Sequence, residues 1–149
     1  MNTNITFEYE AAGLLSLVDA ETSRLAAFLR FEGGASAYDS LKIHTNDQPT
    51  INGYISEAID TILTKFVGES KHSFADGVHT IKFYLPDFDS DRYSIAKKEM
   101  QDYIVHSATE RWLLNRSFVE NAKVLAADAE ASLNRAVSTL RERKSPLFN

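Results

Sequence analysis

The apolar positions of this chain return in two rhythms, one of three to four residues and one of two, and each rhythm predicts a kind of element. Ile5, Phe7 and Tyr9 alternate with Thr6, Glu8 and Glu10. Such alternation predicts a strand or an extended N-terminal arm over residues 1–10. A first helix follows from about Ala11 to Phe31, with Leu14, Leu17, Val18, Leu25, Phe28 and Leu29 along one stripe. Gly33 and Gly34 end it, because glycine accepts the backbone angles of a helix C-terminus. The segment Ala35 to Gln48 reads as a loop, with a short extended piece at Leu41 to Thr45. A second helix begins near Asn46-Asp47, tolerates Pro49 in its first turn, and carries Ile51, Ile55, Ala58, Ile59, Ile62, Leu63 and Phe66 on its stripe.

Asp76-Gly77 is a two-residue hairpin turn of type I′, which needs positive φ at both positions. Its second arm, Val78 to Leu85, alternates and stops at Pro86; its first arm, Lys71 to Ala75, alternates more weakly. Asp89 or Ser90 caps a third helix that runs to about Asn115. Its inner face holds Tyr93, Ala96, Met100, Tyr103, Ile104, Ser107 and Trp112 or Leu113. After a break at Asn115 to Ser117, a fourth helix extends to Arg143 and spans roughly 40 Å. Its stripe is Phe118, Ala122, Leu125, Ala129, Leu133, Ala136 and Leu140, rich in alanine and so suited to close helix contact. Residues 145–149 form a C-terminal tail that leaves the helix at Pro146. The expected fold is mainly α: one domain over residues 1–149, a four-helix bundle-like body with a small β-hairpin and extended terminal arms.

Composition narrows the function classes. A chain of 149 residues with 44% hydrophobic and 25% charged residues is globular in character. It has no cysteine, so disulfides and thiolate metal sites are excluded. Met1 to Ile5 lacks a secretory signal pattern, and no apolar stretch approaches the roughly 20 residues of a membrane helix. The net charge of −5 argues against general nucleic-acid binding. That charge is uneven: residues 1–40 carry six acids and two bases, residues 91–149 eight acids and ten bases. An acidic front and a basic back would suit head-to-tail contact between copies, but the plainer reading, chance with ordinary solubility, carries more weight.

Candidate chemistry is sparse. His106 and Glu110 share a helix face, but no His-Glu-x-x-His pattern supplies further metal ligands. Asp87, Asp89 and Asp91 start like a calcium loop, which then fails at Arg92 and Lys98, so helix capping explains them better. His44, His72 and His79 read as scattered, solvated histidines. No catalytic residue, metal site or cofactor is expected, and an enzyme built on Glu57, Asp60 or His106 would need a pocket that the spacing does not demand. The termini stand out instead. Ile5, Phe7 and Tyr9 precede the first helix, while Leu147 and Phe148 follow the basic end Arg141, Arg143 and Lys144. These eight residues are the candidate interface.

The lead-in Ile5-Thr6-Phe7-Glu8-Tyr9, the central helix from Ile51 to Phe66, the strand Ile81 to Leu85 before Pro86, and the long last helix closing on Arg141-Glu142-Arg143-Lys144-Ser145-Pro146 form a pattern across most of the chain. It resembles the small helical head–tail connector and neck proteins of tailed bacteriophages, in particular virion-region proteins from phages of gut Bacteroidetes. The resemblance implies a virion structural adaptor, assembled in the host cytoplasm. It implies a homo-oligomeric ring of about twelve subunits between portal and tail proteins. Passive contact with DNA in the channel is implied too, without a membrane or a cofactor. The competing expectation is a cytosolic helical binding or regulatory module, favoured by a compact monomer with docked termini.

Overall fold

In the computed structural model, which describes residues 4–30 and 34–143, the alternating N-terminal residues form β1 (Asn4–Glu10). Helix α1 (Ala11–Ala26) follows without a loop, its first amide held by the carbonyl of Gly77 at 2.9 Å. A single turn, α2 (Tyr38–Leu41), and a 3-10 turn lead to α3 (Gln48–Leu63). The hairpin is β2 (Ser70–Ala75) and β3 (Val78–Tyr84), joined by Asp76 and Gly77 with φ of 53° and 75°. Both angles are positive, as a type I′ turn requires. Two long helices close the described chain, α4 (Tyr93–Asn115) and α5 (Val119–Leu140).

The protein is mainly helical, with a small antiparallel sheet of three strands in the order β1-β3-β2. The expected hairpin is present as β2 and β3, and of the two expectations for residues 1–10, arm or strand, the described residues 4–10 form a strand that joins it. Residues 4–10 pair with β3 along their whole length, Phe7 opposite Ile81 and Tyr9 opposite His79. The ladder satisfies the backbone of β1 on one side, and pairing buries Phe7 and Tyr9 on the inner face. An arm left in water would forfeit both gains.

That inner face, with Ile81, Phe83 and Leu85, joins one core with Ile51, Ile55, Ile59 and Ile62 of α3 and Ala96, Met100 and Ile104 of α4. A second, smaller cluster gathers Ala26, Ala37, Leu41, Leu113, Ala122 and Leu125 at the far end of α4. Helix α4 therefore serves both cores. It packs against α1 and α3 and forms an antiparallel pair with α5. The tight turn at Arg116 to Phe118, with Ser117 at φ 68°, sets the pair's register. His106 meets Ser132, and seven residues further from the turn on both helices Glu99 accepts from Thr139. The buried positions Ala122, Leu125, Ala129, Ser132, Ala136 and Thr139 follow alternating steps of three and four, a coiled-coil seam with small side chains.

Helix α1 ends at Ala26, five residues before the expected Phe31. Its buried row is Leu14, Val18, Thr22 and Ala26, a strict four-residue step. Beyond Ala26 the chain turns, so that Leu29 joins Leu25 of α1 on the second cluster and the Ala37 amide reaches the Leu29 carbonyl at 3.2 Å. Tertiary packing overrides the helical pattern, and Phe28 is left 79% exposed. Thr22 is fully buried, and its hydroxyl has no hydrogen-bond partner among the described residues. An unpaired buried hydroxyl is costly. Thr22→Val is therefore expected to stabilise the fold by about 1 kcal/mol and raise Tm by roughly 2–4 °C, read by thermal melting. A lowered Tm would show that the hydroxyl has a partner in solution.

Candidate functional site

The residues expected to form an interface separate into three groups. Phe7 and Tyr9 lie inside their own protomer. Phe7 stacks on Tyr93 at 4.6 Å between ring centroids and meets Phe83 edge-on at 5.9 Å. The Tyr9 hydroxyl donates to the Lys97 carbonyl, and burial pushes its pKa above the ordinary tyrosine value, with Tyr93 and Asp102 adding to the rise. Ile5 is half-buried against the same core. In this structure none of the three presents an open apolar arm, because the β1–β3 ladder claims them for the chain's own sheet.

Arg141 and Arg143 are exposed, yet both are spent on local contacts. Arg141 donates to the Lys65 carbonyl at 3.0 Å and lies over the Phe66 ring. Arg143 donates to the Leu140 carbonyl at 3.0 Å, which satisfies a helix end and complements its dipole. Lys144, Leu147 and Phe148 lie outside the described residues.

The other singled-out groups are dispersed. Asp89 caps the turn before α4 by accepting from the Asp91 amide at 3.1 Å. His106 contacts Ser132, not Glu110, at 3.4 Å. Burial pushes the Glu110 carboxyl above its ordinary pKa, with Arg111 pulling the other way. Glu57 pairs with Arg111 at 2.8 Å, and His44 exchanges a capping interaction with Asp47. Glu57, Asp60 and His106 thus hold separate partners. Among the described residues no group of three His, Cys, Asp or Glu is placed to hold a metal ion. No described helix is long and apolar enough to cross a membrane.

One cluster does form, and it corrects the reading of scattered histidines. Asp60 Oδ1 lies 2.8 Å from His72 Nδ1, and His72 Nε2 lies 2.9 Å from His79 Nδ1. Asp60 comes from α3, His72 from β2 and His79 from β3. The hairpin register is the cause. With Asp76-Gly77 as the turn, His72 faces Ile81 and Phe74 faces His79, so the two imidazoles sit diagonally on one face. The Phe74 ring rests on His79 with centroids 4.4 Å apart. The turn signal alone implied this neighbourhood, but only α3 packing brings Asp60 to it.

His79 is 2% exposed. Burial, then the neighbouring His72, lowers its pKa, while Asp60 opposes the shift. Because its folded pKa lies below the unfolded one, the unfolded chain takes up that proton first as pH falls. His79 thus contributes full stability above about pH 6.5 and loses it as pH drops through its depressed folded value. Urea melts in this window should show stability falling with acid, with a shallower slope in His79→Phe. Equal slopes would contradict the assignment.

The surface carries shallow clefts and scattered apolar side chains. A cleft of about 610 Å³ lies between β1, α1 and α4, rimmed by Glu8, Glu10 and Lys97 over Tyr9, Leu14 and Leu17. A second of about 310 Å³ shares Leu17 and Gln101 with it and continues between α1 and α4 past Glu21, Arg24 and Asp102. Ion pairs already hold Glu21 to Arg24 and Asp102 to Lys98. His106 also lines the second cleft beside these acids, and its described hydrogen-bond contact is Ser132. Leu17, in both clefts, is 40% exposed, and Ile95 and Val124 are exposed on α4 and α5; the other exposed apolar residues include two sets. Phe28, Tyr38, Leu114 and Val119 border the second core cluster. Val67, Phe74 and Tyr84 border the sheet, with Val67 81% and Phe74 57% exposed. No protein-family model, curated sequence or solved structure matches this chain.

Proposed function

We propose that this chain is an assembly subunit, a ring-forming head–tail connector of a virion whose bundle-like helical body makes head-to-tail contacts. One observation carries the reading: among the exposed apolar residues, Phe28, Tyr38, Leu114 and Val119 lie by the second core cluster, and Val67, Phe74 and Tyr84 lie in or next to the sheet. The sheet contacts the first turns of α4, through Tyr93 and Lys97, whereas Leu113 and Leu114 are at its last turn. A helix of 23 residues separates those ends by roughly 34 Å. A ring needs two different complementary surfaces on each subunit, and two distant apolar groups fit that need. The placement of β1 shifts the proposed contact away from the N-terminal residues and onto these surfaces. Its full docking in cis also favours the second reading, a cytosolic helical binding or regulatory module.

A mixing experiment separates the two. Phe28→Ser with Leu114→Ser alters one group; Val67→Ser with Tyr84→Ser alters the other. Each variant alone should remain monomeric where the parent assembles. Their equimolar mixture should form a dimer through the one contact still intact. Assembly unaffected by either pair would remove both surfaces from the proposal. A parent protein that stays monomeric and binds an unrelated partner one to one would favour the binding module.

A further inference from the structure

We propose that the cleft between β1, α1 and α4 receives Lys144, Leu147 and Phe148 of a second copy of this chain. The proposal needs two copies and stands whether or not they close into a ring. The cleft of about 610 Å³ has Leu14 and Leu17 on its floor, beneath a rim that carries Glu8 and Glu10. The smaller cleft prolongs it between α1 and α4, so the depression is a groove. Neither Glu8 nor Glu10 is in an ion pair among the described residues. The one cation among the lining residues, Lys97, lies over the Tyr9 ring. Gly13 of α1 also lines the cleft, and a glycine within a helix is unfavourable. Here it keeps the wall open: within 4 Å a Cβ would meet only the Glu10 Cβ, at 3.9 Å.

Charge and spacing name the occupant. Two carboxylates over an apolar floor suit a segment in which a cation precedes apolar side chains. Lys144-Ser145-Pro146-Leu147-Phe148 has that order. In an extended segment Lys144 and Leu147, three residues apart, are separated by about 10 Å. Glu10 and Leu17, seven residues apart along α1, are also separated by about 10 Å. A Lys144 ammonium at Glu10 therefore sets Leu147 and Phe148 over Leu14 and Leu17.

Reach assigns the segment to a second copy. Arg143 bridges to Phe88, ahead of α4, and Glu142 pairs with Arg92 at 2.8 Å. Gln101, which lines both clefts beside Leu17, is nine residues beyond Arg92, or about 13 Å along the helix axis. The cleft also lies on the far side of α4 from α5. Glu99 meets Thr139 of α5, and Gln101, two residues on, is turned about 200° from it. Half the circumference of a helix about 10 Å wide adds about 16 Å, so the combined path is about 20 Å. Four extended residues from Arg143 to Leu147 span at most about 14 Å. The chain's own Leu147 falls short of Leu17, whereas a second copy meets no such limit.

Fluorescence anisotropy of a labelled peptide of residues 143–149 tests the pairing on the full chain, diluted until light scattering gives the mass of one chain. Saturable binding is expected, weakened by about tenfold or more when the peptide carries Leu147→Ser and Phe148→Ser. Gly13→Leu in the chain should weaken it as much by filling the cleft, while Tm holds or rises because a helical glycine is lost. Leu17→Glu, at a partly exposed position, should act likewise from the floor. A peptide that fails to bind, or that binds the parent and Gly13→Leu chains equally, overturns the proposal. So does binding that appears only when the chain itself carries Leu147→Ser and Phe148→Ser, since its own segment would then have filled the cleft. Binding is read on single chains, so its failure leaves ring formation to the mixing experiment.

Discussion

Trp112→Ala is expected to cost about 3–5 kcal/mol of folding stability, the range for removing a large buried aromatic side chain. Trp112 is 1% exposed and is the largest fully buried side chain among the described residues. Its indole Nε1 donates to the Leu41 carbonyl at 2.7 Å, which pins the α2 turn to α4. The Arg116 guanidinium stacks 4.4 Å from the ring and pairs with Asp47 at 3.3 Å. Truncation removes packing, a hydrogen bond and the platform under Arg116 together. Trp112→Phe separates these effects, because a ring remains while the Leu41 carbonyl loses its donor; its cost should be nearer 1–3 kcal/mol. Native domains are stable by about 5–15 kcal/mol, so the alanine variant should unfold at far lower urea. Both variants melting within about 0.5 kcal/mol of the parent would mean that the α2 turn is held by something else.

Phe7→Ala should be nearly as damaging, again by about 3–5 kcal/mol. This variant carries a functional message. Phe7 is fully buried between Tyr93 and Phe83, and the Tyr93 hydroxyl donates to the carbonyl of the adjacent Thr6 at 2.6 Å. If β1 belongs to its own protomer, the loss appears as a lower melting temperature of the dilute monomer. If the strand instead served a neighbour, the dilute monomer would melt unchanged and only assembly would weaken. Thermal melts at several concentrations distinguish the two outcomes.

Much of this architecture was legible in the residues, for reasons that differ by element. Helix α3 was clear because Ile51, Ile55, Ala58, Ile59 and Ile62 all become core positions. The hairpin was clear because Asp76-Gly77 leaves the backbone few alternatives. The end of α1 was not legible. Phe28 and Leu29 continue its periodicity, yet the second core cluster draws Leu29 aside and leaves Phe28 in water. The third strand was half-legible: alternation at Ile5, Phe7 and Tyr9 marked a strand, but nothing local names β3 as its partner.

Surface function was harder to read for the same reason. Apolar termini invited an interface, and the sheet absorbed the N-terminal ones. Arg141 and Arg143 read as a basic end and fold back onto carbonyls of Lys65 and Leu140. The histidine relay depends on a diagonal pair across a hairpin and on a carboxylate from a helix 12 residues away in sequence from His72. The diagonal follows from the turn; the carboxylate required the packed fold.

The most direct test of an assembly role is the mass of the purified protein in solution, measured by light scattering across a concentration series, alone and with a candidate portal protein. The account predicts a discrete large oligomer, formed by the chain itself or on the portal. A particle that holds the 16.7 kDa mass of one chain at every concentration and ignores the portal would contradict it.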